Sequence, residues 1–122
     1  MNAQVLVVED EALIRWSLRQ RLEAAGYGVL ETDRASRVAE LMGGNVDLVL
    51  LDLRLPDADG LDVLRAIRRD RPRCPVIVMT AYGTPEVERR AEELGALRVM
   101  SKPFSFDEMM GMVGSALGHA CA

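Results

Sequence analysis

Five polar side chains stand where the short apolar runs of the sequence end. Glu9 and Asp10 follow the first run, and Asp52 follows the third. Thr80 ends the fourth run, and Lys102 follows the fifth. Ligands of open parallel sheets bind outside the carboxyl ends of the strands, so we expect these groups to meet at one edge. The second run ends without an obvious functional group.

The chemistry of these groups fits phosphoryl transfer. Three clustered carboxylates raise one another's pKa unless a cation lies among them, and a few oxygen ligands completed by water suit Mg²⁺. Asp52 has the position of a nucleophile that could form an aspartyl-phosphate. The metal would neutralise charge on the transferring group, while Lys102 and the Thr80 hydroxyl would hold its other oxygens. Helix-capping acids, a surface lysine and a strand-end hydroxyl are the non-functional interpretations, which the complete set disfavours.

The apolar runs predict five β-strands separated by helix-period segments. They are rich in Val, Leu and Ile, which is typical of parallel strands buried on both faces. The predicted strands cover 5–8, 28–30, 46–51, 76–79 and 97–100, and the predicted helices cover 11–25, 34–42, 60–70, 85–94 and 106–117. Thr84-Pro85 and the capping-box pattern at 105–108 mark two helix starts. This alternation predicts an α/β fold with helices on both faces of a parallel sheet.

Composition and charge exclude several other classes of protein. The 122 residues suffice for one domain, and 4% aromatic content predicts an aliphatic core. A net charge of −4 argues against nucleic-acid binding by this domain, because phosphate contacts need a basic face. Cys74, Cys121 and His119 form no zinc or nucleophile–base pattern. The apolar runs are too short to span a membrane and the first residues do not resemble a signal peptide, so we expect a cytoplasmic protein.

In order and spacing, these motifs resemble the receiver domains of two-component response regulators. The matching stretches are Val-Glu-Asp-Glu at 8–11, Asp-Leu-Arg-Leu-Pro at 52–56, Asp-Gly at 59–60, Met-Thr-Ala at 79–81 and Ser-Lys-Pro-Phe at 101–104. We expect a receiver domain at 1–118 and a tail or truncated linker at 119–122. The resemblance implies a flavodoxin-like (βα)5 three-layer sandwich with strand order 2-1-3-4-5. It also implies a cis bond between Lys102 and Pro103.

The resemblance further implies how the acids act. Asp52 would accept a phosphoryl group from the phosphohistidine of a cognate histidine kinase. Asp10, Asp52 and the backbone carbonyl of Arg54 would bind Mg²⁺, with Glu9 close by. The first helix would dock the kinase.

Thr80 and Lys102 would pass the change on. Thr80 would move toward the phosphoryl oxygens and Lys102 would pair with them, which alters the face of helix 4, strand 5 and helix 5. That face would control an effector and is a candidate for homodimer contacts. Receivers usually carry Tyr or Phe three residues before the lysine, where this chain has Val99. The sequence is most similar to receivers fused to AAA+ activators of an alternative sigma factor, which predicts a role in transcription regulation.

Two neighbours of the site bear on the lifetime of the phosphoryl group. Arg54 and Tyr82 lie at positions that influence water access in this family, and their bulk predicts at most slow self-dephosphorylation and no other enzymatic activity. A second interpretation is a small Mg²⁺-dependent phosphohydrolase. However, Arg54 stands where haloacid-dehalogenase phosphatases carry a general acid–base. A third is a pseudo-receiver, which the complete set of acids, threonine and lysine disfavours.

Overall fold

Five strands alternate with five helices in the computed structural model, which describes residues 2–118; the predicted tail at 119–122 lies outside the described residues. The strands are β1 (Gln4–Val8), β2 (Gly28–Thr32), β3 (Leu48–Asp52), β4 (Val76–Thr80) and β5 (Arg98–Ser101). The helices are α1 (Ala12–Ala24), α2 (Val38–Met42), α3 (Gly60–Asp70), α4 (Pro85–Glu93) and α5 (Phe106–Ala116). Within 2–118, no helix combines the length and apolar character needed to cross a membrane.

All strands are parallel and lie in the order β2-β1-β3-β4-β5, as the resemblance implied. Val8 of β1 is in register with Leu51 of β3. The next residues along the two strands, Glu9 and Asp52, therefore leave the sheet side by side. The order of the strands reverses between β1 and β3, so this pair lies at the kind of crevice where α/β sheets bind ligands.

Alternate strand residues feed two separate cores, one on each face of the sheet. One core packs residues such as Leu6 and Leu51 against α2, α3 and α4. The other packs residues such as Val7 and Leu50 against α1 and α5. Strands β1, β3 and β4 are buried on both faces, which explains their unbroken apolar sequence.

The prediction that all five strands are buried on both faces is wrong for the two edge strands. Most of β2 is half-buried, and Arg98 and Ser101 of β5 are exposed. An edge strand has one strand neighbour and less helix cover, so it tolerates polar side chains.

The predicted helix at 34–42 is also interrupted. It begins with a 3-10 turn, Ala35–Arg37, before α2. The carboxylate of Asp57 accepts hydrogen bonds from the N–H groups of Ala35 at 2.7 Å and Ser36 at 2.9 Å. A side chain from the β3–α3 loop thus satisfies the backbone donors that begin this segment.

Helix starts at the site edge are fixed by side chains. Asp59, Thr84 and Ser105 each accept a hydrogen bond from a backbone N–H of the helix that follows, α3, α4 and α5 respectively. The Lys102–Pro103 bond in the β5–α5 connection is cis, as the resemblance implied. The loops that carry the site therefore enter their helices in defined directions.

Candidate functional site

Lys102 brings together acids from two strands at the carboxyl edge of the sheet. Its Nζ lies 2.8 Å from Glu9 Oε1 and 3.2 Å from Asp52 Oδ2. It also donates a hydrogen bond to Glu9 Oε2 at 3.0 Å. Glu9 is fully buried, and Asp52 is 2% exposed. The convergence predicted from strand ends is therefore present for Glu9, Asp52 and Lys102.

The acid cluster fits a hard divalent cation. Glu9, Asp10 and Asp52 each offer a carboxylate oxygen, and these oxygens lie within 4.8 Å of one another. Glu9 Oε1 is buried and accepts no hydrogen bond from the described residues, although it lies beside the ammonium of Lys102. Asp10 is exposed, so the cluster opens to solvent on one side. Buried and exposed carboxylate oxygens in this arrangement are the ligands that Mg²⁺ prefers.

The charges of the site are unbalanced. Burial raises the pKa of Glu9 to about 7, and the neighbouring Asp52 adds to this, while the hydrogen bond from Lys102 opposes it. Burial by itself would lower the pKa of Lys102, but hydrogen bonds to Glu9 and Glu11 and the charge of Asp52 raise it well above its usual value. Lys102 therefore stays protonated. Its single positive charge does not balance the four acids around it, Glu9, Asp10, Glu11 and Asp52.

The loop after Asp52 is held from several sides. Asp52 Oδ1 accepts a hydrogen bond from the Arg54 N–H at 3.0 Å. The Leu53 carbonyl accepts one from the Gly60 N–H at 2.9 Å, which closes the loop onto the start of α3. The contact of Arg54 with Asp52 is made by its N–H, and the role of its carbonyl toward a metal stays a prediction.

Thr80 is buried at the end of β4, with its hydroxyl turned to its own loop. Its Oγ1 accepts a hydrogen bond from the Tyr82 N–H at 3.1 Å, and its carbonyl accepts one from the Lys102 N–H at 2.8 Å. Its movement toward a phosphoryl group stays a prediction. Val99, in register with Val78, is half-buried against the core of α2, α3 and α4.

Sequence reasoning missed several contacts around the site. Glu11 Oε1 accepts a hydrogen bond from Lys102 at 3.0 Å. Arg15 donates to the Glu9 carbonyl. The pairing of Arg54 with Tyr82 was expected from the sequence, and the Arg54 guanidinium lies 4.5 Å from the centroid of the Tyr82 ring. The run of three acids at 9–11 was a visible signal for Glu11, whereas the other contacts depend on how α1 and the loops are oriented.

The fold and site define a flavodoxin-like α/β domain with an acidic centre at the point where the strand order reverses. The chain belongs to the response regulator receiver domain family, whose model matches residues 5–114. Of the described residues, 2–118, this match covers nearly all.

Curated relatives agree with this assignment. The DNA-binding transcriptional regulator NtrC of Rhizobium meliloti (strain 1021) is 40% identical over 119 residues, covering 97% of this chain and 25% of that protein. A cyclic di-GMP phosphodiesterase of Thermotoga maritima is 34% identical over 113 residues, covering 93% of this chain and 30% of that protein. The chain thus spans about a quarter of the length of the curated relatives it matches. The predicted similarity to regulators of transcription is confirmed.

Solved structures confirm the fold. A CheY-like receiver domain protein from Methanospirillum hungatei JF-1 superposes with a TM-score of 0.91 at 27% identity, covering 96% of this chain and 94% of that one. The non-phosphorylated HemR receiver domain from Leptospira biflexa gives 0.90 at 31% identity, covering 96% and 95%.

Proposed function

We propose that this chain is a phosphorylation-controlled switch in which Asp52 accepts a phosphoryl group from a histidine kinase. The observation that carries the proposal is the setting of Asp52. Its carboxylate is held between the Arg54 N–H and the Lys102 ammonium, beside the acids Glu9 and Asp10. Membership of the receiver family supports the same role.

In the proposed transfer, a carboxylate oxygen of Asp52 forms a bond to phosphorus. The bond from phosphorus to the histidine nitrogen of the kinase breaks, and the electron pair stays on that nitrogen. Mg²⁺ held by Glu9, Asp10, Asp52 and the Arg54 carbonyl would supply charge neutralisation for the phosphoryl oxygens. The acyl phosphate carries close to two negative charges on its phosphoryl oxygens in place of the single charge of the Asp52 carboxylate, so the site gains about one negative charge.

Lys102 and Thr80 then respond to the new charge. Lys102 is shared with Glu9 and Glu11 before transfer, and a phosphoryl group attracts it away from both. Thr80 exchanges its hydrogen bond with the Tyr82 N–H for a donated bond to a phosphoryl oxygen. Because Lys102 follows β5 and Thr80 precedes α4, both shifts alter the face of α4, β5 and α5.

The proposed partners fit the surface. Leu13 and Trp16 lie in the first part of α1, which follows the acids at 9–11, and are 74% and 59% exposed. They offer an apolar docking site for a kinase, an encounter that we place in the cytoplasm. Leu97, directly before β5, is 49% exposed and suits contact with an effector domain or a second copy through the face of α4, β5 and α5. We propose that the effector regulates transcription, as the NtrC relatives do, and that this acidic domain does not itself bind nucleic acid.

The test is intact mass after incubation with Mg²⁺ and acetyl phosphate. We expect one phosphoryl adduct on the wild type and on Asp62→Asn, a control that changes an exposed acid of α3. We expect none on Asp52→Asn or without Mg²⁺. Donor turnover without a lasting adduct would favour the phosphohydrolase interpretation, and neither adduct nor turnover would indicate a pseudo-receiver.

A further inference from the structure

We propose that Arg15 is a positioning residue for the metal site, and that Glu31 of β2 holds it in place. The proposal rests on the proposed function, because it concerns the same acid cluster. It also gives the second strand, which ends without an obvious functional group, a part in the site.

Arg15 joins three elements of the chain. Its Nη1 donates a hydrogen bond of 2.8 Å to the backbone carbonyl of Glu9, and its Nε donates one of 3.3 Å to Glu31 Oε1. The side chains of Arg15 and Glu31 are only 21% and 29% exposed, so solvent competes weakly for these bonds. The N–H of Glu9 donates to the carbonyl of Thr32 at 3.1 Å. The backbone of Glu9 is thus held on both sides, by α1 and by β2.

The carbonyl that Arg15 holds belongs to the peptide linking Glu9 to Asp10. Rotation of this peptide would move Asp10 relative to Asp52. Lys102 restrains the carboxylate of Glu9, but among the described residues no hydrogen bond or ion pair restrains the side chain of Asp10. The orientation of this peptide is therefore what places the exposed acid, and partners of this kind strongly affect metal affinity.

Arg19 provides a matched comparison on the same helix. It lies one turn along α1 and donates to the other oxygen of Glu31 at 2.9 Å and to Glu23 at 3.2 Å. Its hydrogen bonds and ion pairs go to Glu23 and Glu31, and none goes to Glu9. Removing either arginine takes one ion pair from Glu31, but only the loss of Arg15 frees the Glu9 carbonyl.

The test is Mg²⁺ binding by isothermal titration calorimetry on the full chain without a phosphodonor. We expect Arg15→Ala to weaken Mg²⁺ binding about tenfold or more, the scale found for residues that support metal ligands. Arg19→Ala is expected to stay within about twofold of the wild type, because its partners lie outside the acid loop. Arg15→Lys keeps the positive charge but has a single donor nitrogen in place of the two that Arg15 uses, so it should recover part of the loss. Urea unfolding should shift similarly for the two alanine variants.

Equal Mg²⁺ affinity in Arg15→Ala and Arg19→Ala would overturn the proposal, as would a wild type that binds no Mg²⁺. If Arg15→Ala fails to fold, Arg15→Lys and Glu31→Gln decide the question, and wild-type affinity in both would overturn it. Phosphorylation of Asp52 with unaltered Mg²⁺ binding in these variants contradicts only the positioning role. Tenfold weaker binding in a chain that is never phosphorylated contradicts only the proposed function.

Discussion

The ammonium of Lys102 is shared by Glu9, Glu11 and Asp52, and this sharing sets the character of the site at the scale of single residues. One cation cannot neutralise three carboxylates and a fourth acid, Asp10, nearby. We expect this excess negative charge to attract a divalent cation, most strongly at the buried Glu9 and Asp52, where little water screens it. Lys102 is therefore held in a position from which a new charge on Asp52 can draw it.

We expect the ring of Tyr82 and the guanidinium of Arg54 to govern the lifetime of a phosphoryl group on Asp52. The guanidinium lies 4.5 Å from the centroid of the ring beside Asp52, where we expect the pair to hinder an attacking water. An exposed cation–π contact is worth about 0.5–1 kcal/mol, so we expect Tyr82→Ala to speed dephosphorylation about 2- to 5-fold. The measurement is the decay of the adduct by intact mass after removal of the donor.

Tyr82→Phe is the matched control, because it keeps the ring and removes only the hydroxyl. Its decay should equal that of the wild type. Equal decay in Tyr82→Ala and the wild type would show that the stacked pair does not limit water access.

At this scale, much of the site could be predicted from the sequence. Glu9, Asp52 and Lys102 stand at strand ends, and parallel strands place their ends on one edge whatever the details of packing. Arg15 could not be predicted, because its contact with the Glu9 carbonyl depends on the rotation of α1 about its axis. The same holds for the Thr80 hydroxyl, whose partner is set by the path of the β4–α4 loop.

At the scale of elements, the close approach of α3 to the loop that follows Asp52 depends on Gly60. A Cβ at this position would lie 2.8 Å from the carbonyl oxygen of Asp52 and would meet the backbone of Leu53. We expect Gly60→Ala to lower the free energy of unfolding by about 1–3 kcal/mol, because backbone atoms must shift to make room. Urea unfolding followed by circular dichroism measures this loss.

Gly111, in α5, is the matched control for this substitution. A Cβ there meets nothing within 4 Å, so Gly111→Ala should stabilise the protein by about 0.5–1 kcal/mol through helix propensity. Opposite signs for the two variants would identify the close approach as the cause. Stabilisation by both would mean that the loop yields without cost.

The elements themselves could be predicted wherever a run was long and apolar. Strands β1, β3 and β4 are central, and their burial on both faces leaves a continuous apolar signal. The edge strands and the 3-10 turn before α2 could not be predicted in detail. That turn depends on hydrogen bonds from Ala35 and Ser36 to Asp57, a residue more than twenty positions further along the chain.

On the scale of the whole molecule, the two cores lie on opposite faces of one sheet. Unfolding of either layer of helices would expose the strands against which the other layer packs. We expect urea unfolding to follow a single transition by Trp16 fluorescence and by circular dichroism. Leu18→Ala lies in the core packed against α1 and α5, and Leu64→Ala lies in the core packed against α2, α3 and α4. Each should lower the free energy of unfolding by about 2–5 kcal/mol and move both signals together.

Leu13→Ala controls for the loss of leucine side chain as such. Leu13 lies on the same helix as Leu18 but is 74% exposed, so its removal should change the free energy of unfolding by less than about 0.5 kcal/mol. Separate transitions for the two signals, in any of these proteins, would show that the layers unfold independently.

Lys102 is the one lysine of the chain, since the other fourteen of the fifteen Lys and Arg residues are arginines. An amine must lose its proton to attack an acylating reagent. Burial of Lys102 keeps the reagent away from its amine, and the raised pKa keeps that amine protonated and unreactive. Apart from the chain's own amino terminus, covalent labelling of amines therefore reads one side chain. The rate of that labelling therefore measures how often the ammonium leaves its carboxylates.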